Sequence, residues 1–145
     1  MKEMKRYSIT LEEGAKAYGD ELNISPKHAV EICAAIKGKK LEEAKKLLED
    51  VIKKKQFIPF RKHKKQIPHR KGGQPGRYPV KAARQILKLL ENAENNAEEM
   101  GLEGELVVAH ASAQKGRTFE RRAPKGRMRP SNIQTVNVEI ILKGM

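Results

Sequence analysis

Hydrophobic residues recur at helical spacing in three parts of the chain. The first begins at Ser25-Pro26, a cap residue followed by proline at the first helical position, and ends at Gly38. The second covers about residues 41–55, with acids in its first turn and lysines in its last. The third is the longest, from about Val80 to Met100. The pattern therefore predicts three amphipathic helices, and the third, about 30 Å long, is expected to be the spine of the domain.

After the third helix, a two-residue alternation replaces the helical pattern. Residues 134–142 alternate four apolar side chains with polar ones such as Glu139, which predicts a half-buried antiparallel strand. Its expected partner is the stretch 106–114, and residues 15–24 are a candidate for a third strand. A small antiparallel sheet against three helices makes the predicted fold class α+β.

The two predicted strands are joined by a segment with almost no apolar content. Residues 115–129 read KGRTFERRAPKGRMR, with seven basic residues and one acid. Such a segment cannot be ordered by burial, and it needs an anionic surface to pack on. We expect an extended β-hairpin over residues 105–142 with its tip near 116–130, in a single domain that covers residues 1–145.

The charge of the chain is concentrated in two zones. The formal net charge is +13, and eight basic residues with no acid lie between residues 56 and 81. Residues 56–78 are rich in Pro and Gly, which predicts a long basic insertion rather than a helix or strand. An anionic interface, most simply folded RNA, is the expected partner of both zones. The candidate RNA-binding residues are Arg61, Lys62, Lys64, Lys65, Arg70, Lys71 and Arg77 in the insertion, and Lys115, Arg117, Arg121, Arg122, Lys125, Arg127 and Arg129 in the hairpin.

The sequence offers no catalytic constellation, cofactor motif or metal-ligand spacing. The four histidines are scattered, and His110 is expected to be a packed or hydrogen-bonded strand residue. Cys33 is the single cysteine and is expected to be an inert core thiol. No apolar run approaches the ~20 residues of a membrane span, and no secretory signal pattern is present, so a cytoplasmic protein is expected.

Three functional hypotheses remain at this point. The first is an architectural RNA-binding protein. The second is an RNA-processing or RNA-modifying enzyme with a basic docking arm, for which the sequence offers no pair of catalytic residues. The third is a DNA-binding architectural protein, which a preference for duplex DNA over folded RNA at matched salt would support.

Several short motifs in series resemble one family. They are ISPK at 24–27, IKGKKLEEA at 36–44, LENAENNA at 90–97, and PKGR at 124–127 before VNVE at 136–139. Together they resemble the L-twenty-two family of large-subunit ribosomal proteins (L-seventeen in eukaryotes), over about residues 15–142. The insertion, with GRYP at 76–79, is similar to the archaeal and eukaryotic branch, and the compact length without acidic tails favours the archaeal one.

The resemblance implies an α+β body on the subunit surface and a hairpin that reaches through ribosomal RNA to the nascent-peptide exit tunnel. Lys27, Lys39 and Lys40 would then face surface RNA together with the insertion. Expected partners are large-subunit ribosomal RNA, neighbouring ribosomal proteins and the nascent peptide, with no membrane, DNA or cofactor. The expected location is the cytoplasm, in the large subunit, and no catalysis is expected. The tip residues expected at the tunnel wall are Ala123, Pro124, Lys125, Gly126, Arg127 and Met128.

Overall fold

The computed structural model describes residues 7–9, 11, 13–126 and 131–145. These residues form three helices, a three-stranded antiparallel sheet and a short two-stranded ladder, which confirms the α+β class. The elements in chain order are β1 (Ala15–Leu22), α1 (Pro26–Ile36), α2 (Leu41–Ile52), β2 (Ile58–Pro59), β3 (Gly76–Arg77), α3 (Val80–Glu99), β4 (Leu106–Arg121) and β5 (Ser131–Gly144).

The last strand, β5, is the centre of the sheet. It pairs with β1 on one side and β4 on the other, both antiparallel, so that Ile140 lies opposite Ala17 and Ala111. Alternate residues of β5 face the helices, because side chains of a strand point to opposite faces in turn. The fully buried apolar residues of this face are Val136, Val138, Ile140 and Leu142.

The helices cover one face of the sheet and fill the core. Helix α3 packs on β1 and β5 through a row of small residues, which lets helix and sheet approach closely. Asn96 fixes the helix further by donating a hydrogen bond from Nδ2 to the Lys16 carbonyl at 2.8 Å. Helix α1 packs on β4, and α2 packs on α3 with an ion pair between Lys45 and Glu94. Burial of each large apolar side chain contributes about 1.5–3 kcal/mol.

One boundary of the predicted helices is wrong. Helix α2 ends at Ile52 rather than at residue 55, because Lys54 adopts a left-handed conformation with φ of 58°. Helix α3 ends at Glu99, within one residue of the predicted end, and Met100 is its C-cap and is 56% exposed. Gly101 follows with φ of 67°, a conformation that glycine adopts without steric cost and that ends the helix.

The second face of the sheet is covered at Glu139 and Ile141, which a half-buried strand would expose, whereas Asn137 is partly exposed and Lys143 is exposed. Glu139 is only 2% exposed, and its carboxylate accepts hydrogen bonds from His110 Nε2 at 2.8 Å and Ser112 Oγ at 2.9 Å. Ser8 adds its backbone N–H at 2.8 Å and its hydroxyl. An irregularity between Val108 and His110 brings the imidazole opposite Ile141, and so onto this face. His110 is therefore hydrogen-bonded, as the sequence predicts. Its partner Glu139, however, was expected to face solvent.

Candidate nucleic-acid interface

The basic insertion is attached to the core at its two ends. Ile58 and Phe60 are buried, and the Phe60 ring meets His28 of α1 edge-on at 5.5 Å between ring centroids. Strands β2 and β3 close the base of the insertion, with Pro59 opposite Gly76. The insertion is thus an ordered extension of the core, which fixes where its cations stand.

A buried carboxylate on α1 holds the first turn of the insertion. Glu31 is 2% exposed and accepts the backbone N–H groups of Arg61, Lys62 and His63 at 3.0, 2.9 and 3.1 Å. Burial by itself raises the pKa of the Glu31 carboxyl, but these three donors outweigh burial and the pKa lies below its ordinary value. The anion therefore orients a run of backbone on which the Arg61 and Lys62 side chains are exposed and His63 is half-buried.

The second half of the insertion is held by one of its own arginines. Arg70 donates from Nε to the Gly76 carbonyl at 3.1 Å, and its guanidinium lies 4.9 Å from the centre of the Tyr78 ring. Its backbone N–H donates to the Gln74 carbonyl at 2.9 Å. Arg70 is half-buried as a result, and it contributes more to the shape of the insertion than to its free positive surface.

The insertion and the start of α1 together form a basic groove. We use "basic groove" for the depression lined by Lys27, His28, Phe60, Lys62, His63, Lys64, Lys65, Gln66, Ile67 and Arg77. Five lysines and arginines line it, all of them exposed, and none of the described lining residues is acidic. Burial, and to a lesser degree the Arg77 charge, lower the pKa of His28. The lowered pKa favours the neutral form of His28, so this imidazole adds little to the positive charge that the lysines and arginines give the groove.

The remaining body candidates lie outside this groove. Lys40 forms a 2.6 Å ion pair with Glu105, whose hydrogen bond and charge raise the pKa of Lys40. Lys39 is exposed, and its backbone carbonyl accepts the Val108 N–H at 2.9 Å, which ties this turn to β4. The structure brings Lys27 together with the insertion, but it does not bring Lys39 and Lys40 into the same groove. Lys71 is exposed and also lies outside it.

Strands β4 and β5 extend past the third strand of the sheet as a two-stranded hairpin. Pairing with β1 stops at Val136, whereas β4 pairs with β5 as far as Arg121 opposite Ser131. Strand β4 thus runs well beyond residue 114, where the sequence pattern ends it. The part from Gly116 to Arg121 adds about 20 Å at ~3.4 Å per residue. Within the described residues, the cations of the hairpin and its tip are exposed: Lys115, Arg117, Arg121, Arg122 and Lys125.

The hairpin is held by polar contacts rather than by a core. Gly116 lies at a ladder irregularity where a Cβ would stand 2.7 Å from Thr135 Oγ1. The same hydroxyl donates to the Arg117 carbonyl at 2.7 Å. The Arg117 guanidinium lies 5.5 Å from the centre of the Phe119 ring, itself 41% exposed. The hairpin therefore has few buried contacts of its own.

A short turn forms the described part of the tip. Pro124–Gly126 is a tight turn in which Lys125 and Gly126 have left-handed φ of 60° and 64°. Ala123 is half-buried. The predicted residues Arg127, Met128 and Arg129 lie outside the described residues.

Sequence reasoning missed the two buried carboxylates, although one signal was available for Glu31. It interrupts the apolar run AVEICAA of α1, where a lone acid is unexpected unless it has a partner. Within the described part of the chain, no group of acidic, histidine or cysteine residues is arranged to hold a metal, and no helix is long and apolar enough to cross a membrane. Cys33 is buried, and burial raises the pKa of its thiol to about 12.

Comparison with known proteins matches the chain to one family over most of its length. The family model described as ribosomal protein L22p/L17e matches residues 17–143. A large ribosomal subunit protein uL22 of Archaeoglobus fulgidus is 55% identical over 135 residues, 89% of this chain and 87% of its own length. The proteins of the same name from Methanothrix thermoacetophila and Methanocaldococcus jannaschii are 53% and 47% identical, over 94% and 95% of this chain and 94% and 92% of theirs.

These matches confirm the resemblance to the archaeal branch and the location in the large ribosomal subunit. They also remove the alternative of an RNA-processing enzyme, because the family is a structural component of the ribosome. Ribosomal RNA and neighbouring ribosomal proteins are the partners that this membership implies. The chain belongs to the ribosomal protein L22p/L17e family, and it is a structural constituent of the large ribosomal subunit.

Proposed function

We propose that the chain binds large-subunit ribosomal RNA through two separate surfaces, supports assembly of the subunit, and lines the nascent-peptide exit tunnel with the tip of its hairpin. The first surface is the basic groove, and Arg61, Lys71, Lys39 and Lys40, which lie outside its lining, make further contacts to RNA. The second is the hairpin from Lys115 to the tip. The observation that carries the proposal is the basic groove, in which an ordered backbone holds five cations with no acid among its lining residues.

The geometry of the basic groove supports binding to phosphates. Three of its cations, Lys62, Lys64 and Lys65, lie on or just after the backbone turn that Glu31 fixes, so that less conformational entropy is lost when they meet an anionic backbone. Guanidinium and ammonium groups bind phosphate oxygens with charge-assisted hydrogen bonds. Arg70 supports this surface from behind by holding β3 and Tyr78 in place.

The hairpin supports the second half of the proposal. An isolated two-stranded ladder is marginally stable in water, and the part beyond Val136 has no third strand among the described residues. Five exposed cations and one acid, Glu120, lie on it between Lys115 and Lys125. Packed RNA supplies both the counter-charge and the surroundings that such an arm needs.

The salt dependence of binding tests the first surface. The triple variant Lys62→Gln, Lys64→Gln, Lys65→Gln is expected to reduce the slope of log K against log salt for large-subunit RNA by about 2–3, since each lost phosphate contact removes about 0.7–0.9. A matched control replaces Lys46, Lys55 and Lys88 by Gln, which are exposed lysines outside both surfaces. Equal slopes for the two triple variants, or tighter binding to duplex DNA than to this RNA at matched salt, would contradict the proposal.

Crosslinking from the tip tests the tunnel assignment. Lys125→Cys, labelled with a short thiol-directed photocrosslinker in ribosomes that carry a stalled nascent chain, is expected to crosslink to the peptide. Cys33 stays unlabelled because it is buried and its pKa is raised to about 12. Thr118→Cys, lower on the hairpin, is expected to crosslink to RNA instead. Absence of peptide crosslinks from Lys125→Cys in labelled, peptide-carrying ribosomes would refute a tunnel-lining tip.

A further inference from the structure

A second depression, distinct from the basic groove, lies between α1, α2 and the start of the insertion. It has a volume of about 230 Å³, and its walls include Ala34, Ala35, Leu47 and Phe57. We call it the apolar pocket. This volume is below the ~300–1,000 Å³ of sites for drug-sized ligands, so the pocket suits one planar ring system rather than an extended ligand.

One wall of the apolar pocket is a fixed aromatic ring. Phe57 is half-buried, and its ring packs against Gly76, where a Cβ would stand 2.3 Å from Phe57 Cδ2 and 2.9 Å from Phe57 Cε2. The missing side chain at Gly76 thus leaves room for the ring beside β3. A ring already held in one position is a ready stacking platform for a base.

The polar groups of the apolar pocket match a nucleotide. Lys39 and Arg61, both exposed, contribute to its lining and carry positive charge. Glu31 also lines it, and this nearly buried carboxylate uses three of its roughly four acceptor positions on the backbone N–H groups of the insertion. One acceptor position is left for a donor from a ligand. A basic protein side chain would meet Lys39 and Arg61 as like charges, which favours an anionic occupant.

We propose that the apolar pocket receives one unstacked RNA base that carries an exocyclic amine. The base stacks on Phe57, its amine donates to Glu31, and the adjoining phosphates meet Lys39 and Arg61. This inference rests on the proposed binding of ribosomal RNA and specifies one nucleotide of it. Uracil lacks the exocyclic amine and can donate to Glu31 only through its N3–H, so it is expected to bind more weakly than a base with the amine.

Filling the pocket tests the inference without removing a charge. Ala34 is an exposed residue of α1, so Ala34→Phe is compatible with the fold and places a ring where the base would lie. We expect the variant to bind large-subunit RNA on the order of tenfold more weakly. The salt slope is expected to fall by at most about 1–2, the share of the two phosphate contacts at Lys39 and Arg61, because no cation is removed. Asn95→Phe, an exposed site on α3, introduces the same ring elsewhere and is expected to bind like the unmodified chain.

Chemical probing of intact large subunits identifies the base. Dimethyl sulfate for adenine and cytosine, and kethoxal for guanine, are expected to show one unpaired base that is protected in subunits with the unmodified chain and reactive with Ala34→Phe. Phe57→Leu keeps apolar packing but removes the flat ring, and it is expected to expose the same base.

Unchanged RNA affinity and unchanged base reactivity in both pocket variants would overturn the inference. Loss of a neighbouring ribosomal protein from Ala34→Phe subunits, with RNA affinity of the isolated chain intact, would also overturn it, in favour of a protein occupant. Neither outcome changes the reduced salt slope expected for the Lys62, Lys64 and Lys65 triple variant. The proposed binding of ribosomal RNA is therefore tested independently of the pocket.

Discussion

Replacing Glu31 by Ala is expected to lower the free energy of unfolding by about 3 kcal/mol. Three backbone N–H groups lose their acceptor, and an unsatisfied buried donor costs ~1–3 kcal/mol. The total stays below the sum of three such costs, because Arg61 and Lys62 are exposed and their N–H groups can gain water. Urea unfolding measures the change.

Amide hydrogen exchange shows where the Glu31→Ala variant loosens. Faster exchange is expected at residues 61–63, with β5 unaffected until global unfolding. Glu31→Gln keeps one acceptor oxygen and is expected to lose less stability than Glu31→Ala. Glu91→Ala, at an exposed position of α3, is the control and should change stability by less than about 0.5 kcal/mol. A loss of stability in Glu31→Ala as small as that in Glu91→Ala would contradict the anchoring role of Glu31.

Replacing Glu139 by Ala is expected to lower the free energy of unfolding by about 3 kcal/mol, because polar groups on the second face of the sheet lose their acceptor. His110 and Ser112 lose their buried acceptor, and Ser8 loses the group that holds it. Within the described residues, Nδ1 of His110 has no hydrogen-bond partner, so the variant would leave the whole imidazole unsatisfied. Thermal or urea unfolding measures the loss.

A double variant separates the hydrogen bond from burial at this site. His110→Leu with Glu139→Leu removes both polar partners together, and it is expected to destabilise less than the sum of the two single changes. Strict additivity of the two changes would show that the 2.8 Å contact between His110 and Glu139 carries no coupling energy.

The two buried carboxylates, Glu31 and Glu139, are expected to make the protein less stable in acid. Burial by itself raises the pKa of Glu139, but the hydrogen bonds from Ser8, His110 and Ser112 lower it below its ordinary value, as the backbone donors do for Glu31. A group with a depressed folded-state pKa stabilises the fold above its unfolded pKa, about 4.3 for Glu. This contribution is lost as the pH falls through the lower folded-state pKa. The acid-dependent part of stability should be smaller in each alanine variant.

The sequence predicts the helices and the sheet because burial sets their periodicity. Helix α1 begins at Pro26 as its Ser-Pro start indicates, and β5 buries Val138 and Ile140 on the face that alternation assigns to the core. The end of α2 could not be predicted in this way, since lysines are as compatible with a helix as with the turn that replaces it.

Long-range polar contacts account for what the sequence could not predict. Glu31 and Glu139 are buried because partners about 30 residues away, in the insertion and β4, satisfy them. The extent of strand pairing within the predicted hairpin is likewise invisible to hydrophobic alternation, because β4 pairs with β5 mostly through polar residues as far as Arg121. The cations could be identified individually, but their gathering with Lys27 into one groove depends on the anchored fold of the insertion.

Tethered cleavage of RNA tests the central claim, that two separate surfaces of the chain lie against ribosomal RNA. Cys33 is buried, so an iron chelate that generates hydroxyl radicals attaches only to introduced cysteines. Lys64→Cys in the basic groove and Thr118→Cys on the hairpin are each expected to cleave large-subunit RNA in assembled subunits, at two different sets of nucleotides. Asn95→Cys, on an exposed acidic stretch of α3, is the reference and is expected to cleave weakly. Cleavage from Lys64→Cys and Thr118→Cys no stronger than from this reference, in subunits that contain the labelled chain, would contradict the account.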